Sequence, residues 1–406
     1  MVLNIILAAL AFLSLGLVVW QFVVAMRFPL HSRVASPGLA PPVTLLKPLR
    51  GVDAQTWHCL ESWLKQEYAG PVQVLFGVAS ADDPAGEMAR RLTATRPELD
   101  ARLVLCSESL GRNAKVSTLI QLQRGAKHDL VVVSDADVHV PTDFLANLVA
   151  PLRDDGVGLV ICFYRLANPV TLAMRFEAIA VNADFWGQVL LARCLKPLDF
   201  PLGAVMATTR QRLESIGGFE QLVDFLADDY QLGNVIARQG GRIVLSPVVA
   251  DCRESPKGWR EVWQHQLRWA RTIRVCQPLP YLFSILSNAT LWPLLWLIGS
   301  IASKVDSSAI TTVSGMSNLV VTRVGVDLLP KALVLVLAIW LVRIFCAMCL
   351  ESKLSRSRSH WAFFWLVPIK DLLAAVVWAF SFLGNSVEWR GQRYRVGSEG
   401  KLETAF

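Results

Sequence analysis

Apolar residues follow two patterns along this 406-residue chain: unbroken runs near both ends, and short β-branched runs alternating with amphipathic stretches between them. Val2 to Met26 carries no charge and is long enough to cross a hydrocarbon core of about 30 Å. It has no basic segment before it and no small-residue cleavage site after it, so it reads as a retained anchor. Arg27, Arg33, Lys47 and Arg50 follow, which places the amino terminus outside and the middle of the chain in the cytoplasm. The middle starts at about residue 41. VTLLKPLRG, VQVLFGV, ARLVLC and LVVVSDAD read as strands, and the stretches Cys59 to Tyr68, Ala85 to Thr95 and the one after Lys115 as helices between them. Such alternation predicts βαβ units and a parallel sheet.

Further on, GVGLVICFYR reads as another strand. Thr171 to Leu195 is apolar and aromatic but holds Arg175, Glu177, Asp184 and Arg193, which suits an interfacial helix or a buried domain helix equally. Ile216 to Phe219 is a tight turn, Leu226 to Arg238 a helix opened by two acids, and Trp263 to Arg274 an amphipathic helix before the second apolar run. Leu279 to Ser303 and Leu328 to Leu350 are long enough to span. Trp361 to Leu383 is interrupted by Lys370 and Asp371, which are expensive in hydrocarbon. A span would put the tail with Arg390, Arg393 and Arg395 outside, against the positive-inside tendency, whereas a re-entrant or interfacial helix pair hinged at Pro368 to Asp371 keeps it inside.

Composition sharpens this division. A chain that is 53% hydrophobic and 18% charged, with mean hydropathy +0.41, is too apolar to be an ordinary soluble protein. The net charge of +7 gathers beside the apolar runs, at Arg27 and Arg33, at Lys353, Arg356 and Arg358, and at Arg390, Arg393 and Arg395. That placement fits anionic lipid headgroups, and the middle has no basic stripe interleaved with aromatics to bind nucleic acid. The 8 cysteines show no paired spacing and read as reduced; Cys346 and Cys349 lie inside an apolar run, where a zinc knuckle cannot form.

The candidate chemistry sits where the strands end. Val131 to Ser134 runs into Asp135 and Asp137, a carboxylate pair at the carboxyl end of a buried strand, where open α/β sheets bind ligands. One carboxylate can meet a sugar or ribose hydroxyl and the other a hard divalent cation, Mg2+ or Mn2+, although Asp after a strand also serves ordinary turns. Other strand ends carry Lys47, Arg50 and Asp53, then Asp82 and Asp83, then Gly111 to Lys115. Asp228 or Asp229 can cap its helix, the common use of an acid there. An arginine of Trp263 to Arg274 is either a snorkelling membrane-edge residue or a bidentate clamp for pyrophosphate.

These blocks (LLKPLRGVD, ADDP, GRNAKVSTL, SDADV, GGF, LADDY and LRWARTIR) resemble, in this order, the ceramide glucosyltransferase family, glycosyltransferase family 21, among the inverting GT-A-fold membrane glycosyltransferases. The family pattern D, D, D, (Q/R)xxRW falls on Asp83, Asp135, Asp229, and Arg268 with Trp269. One departure is His265, where the pattern has Gln or Arg. HxLRWARTIR and ADDYxLG are similar to a bacterial branch that includes enzymes transferring N-acetylglucosamine to a hopanoid.

The resemblance implies a cytosolic α/β GT-A (Rossmann-like) domain over 41–275, a transmembrane anchor at 1–27, transmembrane or re-entrant helices over 279–384, and a basic cytosolic tail at 385–406. It implies a bacterial inner-membrane enzyme moving a hexose, UDP-glucose being the first donor, to a lipid hydroxyl of ceramide, or of a hopanoid. Asp229 is then the base, Asp137 with Asp135 the Mg2+ or Mn2+ ligands, and Arg268 a phosphate clamp. Asp83 and Lys115 fall on the nucleotide side and Trp269 at the acceptor headgroup, with Lys47, Asp53 and His265 also in the substrate-binding set. A transporter and a non-catalytic membrane scaffold are the readings from other classes.

Overall fold

The computed structural model describes residues 2–33, 40–313, 328–359, 361–389 and 392–404, so Arg390 of the predicted basic cluster lies outside them. β1 (Val43–Pro48), β2 (Val72–Val78), β3 (Asp100–Leu105), β4 (Leu130–Ser134), β5 (Val138–His139), β6 (Val157–Leu166), β7 (Val205–Thr209) and β8 (Arg242–Cys252) form one sheet in the order β3-β2-β1-β4-β7-β6-β8-β5. β1 and β4 are buried along their whole length, as unbroken apolar strands at the centre of a two-faced sheet must be. The expected parallel sheet holds for β3-β2-β1-β4 and needs correction beyond β4: β7 runs antiparallel to both β4 and β6. An antiparallel strand needs no helical crossover, so the βαβ pattern does not announce it.

The first helix of the middle covers Thr56–Leu64, starting three residues earlier than expected, and Pro84–Ala94 and Ala114–Arg124 follow. Asp83 caps the second through Ala85 N at 2.9 Å, with Pro84 opening the helix; Asn113 caps the third through Lys115 N and Val116 N. At the predicted tight turn Gly217 and Gly218 take φ of 86° and 76°, a region costly to residues with a Cβ.

Thr171 to Leu195 becomes an α-helix (Leu172–Ile179), a π-helical turn (Ala180–Phe185) and a second α-helix (Trp186–Leu195). It is wedged between the sheet and the apolar helices: Trp186 meets Phe163 of β6 edge-on, and Gly187 closes against Gln21 of the anchor.

Val2–Arg27, Pro330–Ser355 and Trp361–Ser381 are long and apolar enough to cross a membrane, and Pro278–Ser287 with Leu291–Ser303 forms a pair bent by 57°. Asn4 bonds Gly299 O and Ser303, whereas His31 Nε2 bonds Lys353 O and Leu354 O. The anchor is therefore antiparallel to the helix from Leu291 and parallel to Leu328–Ser355. Leu350 and Leu354 enter the core beneath the sheet, joining the helices to the domain.

Trp361–Ser381 behaves differently. A 3-10 turn (Trp361–Leu366) passes into an α-helix (Val367–Ser381) with Pro368 in its first turn, and the sharp bend of this region lies instead between Ser287 and Leu291. Both ends are tied down: Trp361 Nε1 donates to Ser352 Oγ, and Trp378 Nε1 to Tyr281 O. Just beyond the second, Phe380 packs edge-on against Trp263 of helix Trp259–Cys276, so the segment lies along that helix. Lys370 and Asp371 do not meet lipid. They are 6% and 4% exposed and join Arg343 and Asp184 in a buried network of two cations and two carboxylates.

The expected basic tail is corrected too. β9 (Ser386–Trp389), β10 (Gln392–Val396) and β11 (Leu402–Thr404) form an antiparallel sheet packed back on the domain. Leu226 N bonds Gly400 O at 2.9 Å, and Leu402 N bonds Asp224 O at 2.7 Å. The reason is backbone pairing distant in sequence: the edge backbone of Asp224 to Leu226 finds its partners in residues 400–402.

Candidate active site

The two acidic motifs meet at one lysine. Asn113, capping its helix, turns Lys115 inward, where Nζ lies 2.7 Å from Asp135 Oδ1 and 3.7 Å from Asp228 Oδ2. Asn113 Nδ2 also reaches Phe225 O and Asp228 Oδ1, so one cap residue sets both sides of the contact. Burial favours the neutral amine, but the charges of Asp135, Asp228 and Asp229 hold Lys115 protonated, well above its ordinary range.

Asp137, two residues along, lacks such a partner. Burial, with the Asp135 and Glu254 charges added, pushes its carboxyl up to about 7. Asp229 opens helix Asp228–Arg238 and is pushed up to about 6 by burial and by neighbouring Asp228. Asp228 and Asp229 both lie in the first turn, where the helix dipole favours acids; the N-cap position itself is Ala227, and Asp229 Oδ1 accepts from the first-turn Tyr230 N at 2.8 Å.

Two carboxylates two residues apart on a strand end suit a hard divalent cation, which wants oxygen ligands and completes its shell with phosphates and water. Among the described residues no three His, Cys, Asp or Glu side chains gather as a metal cage. A Mg2+ or Mn2+ on Asp135 and Asp137 would need its remaining oxygen ligands from a bound diphosphate and water.

The other predicted residues brace this edge. Lys47 is 0% exposed and lies under the strand end, donating to Ser134 Oγ and Asp135 O at 3.1 and 2.7 Å. Burial pulls its ammonium down to about 8. Asp83 accepts from Gly51 N at 2.9 Å and so fixes the loop after β1, where Gly51 has φ of 65°. Asp53 takes bonds from Gln55 N, Thr56 N and Thr56 Oγ1, and its second oxygen holds Ser255 N at 2.9 Å. Burial would raise it, but these bonds keep its carboxyl below the ordinary range. Lys47, Asp53 and Asp83 thus hold the frame around the Asp135–Lys115 contact.

Helix Trp259–Cys276 supplies the opposite wall. A polar cavity of about 250 Å3 opens between Glu254, Lys257, His265 and Arg268, and Glu254 is, after Asp135, a second carboxylate whose charge acts on Asp137. The Trp269 and His265 rings meet at 4.5 Å, tilted by 55°, and Trp269 lies 6.4 Å from the Phe185 ring. Sequence reasoning did not assign Glu177, which bonds His265 and Gln266 from 88 and 89 residues away; no local pattern signals such a pairing.

The sequence profile of Glycosyl transferase family 21 matches residues 4–314 and 303–402. The chain belongs to that family. Ceramide glucosyltransferase 3 of Caenorhabditis elegans is 22% identical over 381 residues, covering 93% of this chain and 77% of that protein. A ceramide glucosyltransferase of Candida albicans is 34% identical over 164 residues, 36% of this chain and 29% of that one. An N-acetylglucosaminyltransferase of Bradyrhizobium diazoefficiens is 26% identical over 265 residues, 61% of this chain and 53% of that one. A solved mannosyltransferase from Pyrobaculum calidifontis, in complex with GDP-Man and Mn2+, shares the fold with TM-score 0.50 and 23% identity over 92% of this chain and 96% of that one. This family 21 protein is a sugar-transferring enzyme with a GT-A-like domain, and an integral membrane protein.

Proposed function

We propose that the enzyme moves a hexose from a UDP-sugar to the hydroxyl of a membrane lipid, with inversion at the anomeric carbon. The observation that carries this is the contact of Lys115 with Asp135 and Asp228, which draws the second and third acidic motifs to one place on the sheet edge. The acceptor's oxygen attacks the anomeric carbon as the bond to the diphosphate oxygen breaks and its electron pair leaves with UDP. Asp229 receives the hydroxyl proton, and a carboxyl pushed up to about 6 suits that work near neutral pH. A single displacement of this kind inverts the sugar and needs no covalent enzyme intermediate. A Mg2+ or Mn2+ held by Asp135 and Asp137 would neutralise charge developing on the diphosphate. Arg268, in the cavity wall, is assigned to the phosphates, Asp83 and Lys115 to the nucleotide side, and Trp269 to the acceptor headgroup.

A lipid acceptor explains the membrane architecture. Each CH2 drawn from the bilayer costs about 0.8 kcal/mol, so the reaction must come to the membrane surface. Helix Trp259–Cys276, which bears Arg268 and Trp269, packs along the apolar segment ending at Ser381. UDP-glucose and ceramide are the first choice because ceramide glucosyltransferases match almost the whole chain. UDP-N-acetylglucosamine with a hopanoid is the second, favoured by the Bradyrhizobium relative's named sugar. The domain is assigned to the cytoplasmic side of a bacterial inner membrane.

The test is incubation of detergent-solubilised protein with a panel of UDP-sugars and a lipid extract. A product mass equal to lipid plus one hexose or N-acetylhexosamine is expected. Release of UDP without glycolipid would overturn the reading.

A further inference from the structure

Tyr164 stands near the end of β6, where the buried run of the strand gives way to partly exposed residues. The β6–β7 register sets Val160 opposite Ala207 and Ile161 opposite Met206, and carried further along the strands it brings Tyr164 towards Gly203. Residues 203 and 204 are where the acidic motifs close on each other: Asp229 rests against Gly203, and Ala204 O accepts from Asp135 N at 3.1 Å. The Tyr164 ring is held from the side by Phe185, at 5.9 Å and tilted by 45°, and Phe185 in turn lies beside Trp269. Among the described residues the Tyr164 hydroxyl makes no hydrogen bond, not even to the carboxylates around it. A phenol is neutral at physiological pH, and burial, with Cys252, Asp229, Asp135 and Asp137 facing it, pushes it further up, so Tyr164 offers an O–H donor.

In a single displacement the anomeric carbon lies between the departing diphosphate oxygen and the incoming acceptor oxygen. The first belongs to the side of Asp135 and Asp137 and the second to that of Asp229, so the transferred sugar fills the space these acids share. Tyr164 borders that space from β6. We infer that Tyr164 binds the sugar of the donor: its hydroxyl donates a hydrogen bond to a substituent oxygen of the transferred hexose. Asp83, Lys115 and Arg268 are assigned to the nucleotide and its phosphates, whereas Tyr164 reads the part that is transferred. The ligand class is a UDP-sugar that carries an oxygen at the ring position Tyr164 meets. A sugar without that oxygen leaves the phenol unpaired, and a site built around such a bond discriminates against it. This inference deepens the UDP-sugar reading above and rests on it.

The experiment titrates detergent-solubilised full-length protein, in the presence of Mn2+, with UDP and with whichever of UDP-glucose and UDP-N-acetylglucosamine the wild type binds more tightly. Tyr164→Phe keeps the ring beside Phe185 and removes only the hydroxyl. We expect it to weaken the UDP-sugar by about tenfold and UDP by less than about twofold, because UDP has no sugar substituent for the hydroxyl to meet. Retained UDP affinity also reports folding. A series of UDP-sugars that each lack one oxygen substituent of the hexose completes the cycle. One of them should bind the wild type about tenfold more weakly than the parent, yet bind Tyr164→Phe as the parent does. Equal losses for UDP and the UDP-sugar, affinities unchanged for both, or a wild type indifferent to every substituent overturns the inference, the last without relying on the variant. A wild type that binds UDP but neither UDP-sugar fails the UDP-sugar reading itself.

Discussion

The carboxylate of Asp229 rests against the backbone of Gly203: a Cβ at position 203 would fall 2.3 Å from Asp229 Oδ2. Real Cβ contacts are never that close, so Gly203→Ala must push the carboxylate aside. We expect about a 100-fold loss of transfer, the penalty a displacement of about 1 Å can cause, with UDP-sugar binding retained. Steady-state kinetics beside calorimetric titration of UDP checks this. A variant with wild-type turnover would show that the position of Asp229 is not critical.

Asp229→Asn should reduce turnover by about 10²–10⁴-fold, the usual contribution of a general base. Asp228→Asn is the control. Its charge helps raise Asp229, so removing it lowers that carboxyl's pKa. Because the base works ionised, wild-type kcat/KM should fall as pH drops through about 6. In Asp228→Asn that limb should move to lower pH with activity retained. If Asp228→Asn is the dead variant, the base has been assigned one residue too late.

Asp137→Ala should abolish transfer and weaken binding of Mn2+, measured by electron paramagnetic resonance on the UDP complex, while leaving circular dichroism unchanged. Asp137 is raised by burial and by the Asp135 charge, so a divalent cation relieves the repulsion. Full activity in excess chelator would remove the metal from the mechanism.

Arg343 bonds Asp184 and Asp371 through two nitrogens, and Lys370 pairs with both acids. Arg343→Met leaves buried carboxylates short of a partner and should cost about 3–5 kcal/mol. The balanced replacement of Lys370 by Met and Asp371 by Leu should cost less, since one cation and one carboxylate remain paired. Thermal unfolding in detergent separates the two outcomes.

Much of the site was legible because it lies in short, contiguous blocks. A β-branched run stopping on Asp135 and Asp137 announces both the strand and its chemical end, and Asn113 with Lys115 marks a helix start at the next loop. Pairings distant in sequence stayed hidden. Lys370 and Asp371 read as a break because Asp184 and Arg343, which compensate them, lie 186 and 28 residues away. The position of Lys47 and Asp53 at strand ends was visible, but not their bonds to Ser134, Asp135 and Ser255. The antiparallel pairing of β7 with β4 and the docking of residues 400–402 on Asp224 to Leu226 depend on partners across the fold, which periodicity does not report.

The bonds from Asp224 and Leu226 to residues 400–402 also set an order of events during biosynthesis. The loop leading into Asp228 and Asp229 borrows backbone partners that the ribosome makes only after every apolar helix has emerged. The domain can collapse around β1 to β8 while those helices are still entering the bilayer, but this loop lacks its partners until residue 402 follows. A nascent chain stalled before that point would present a folded sheet with an unfinished acidic loop, and catalytic competence would arrive only with completed insertion.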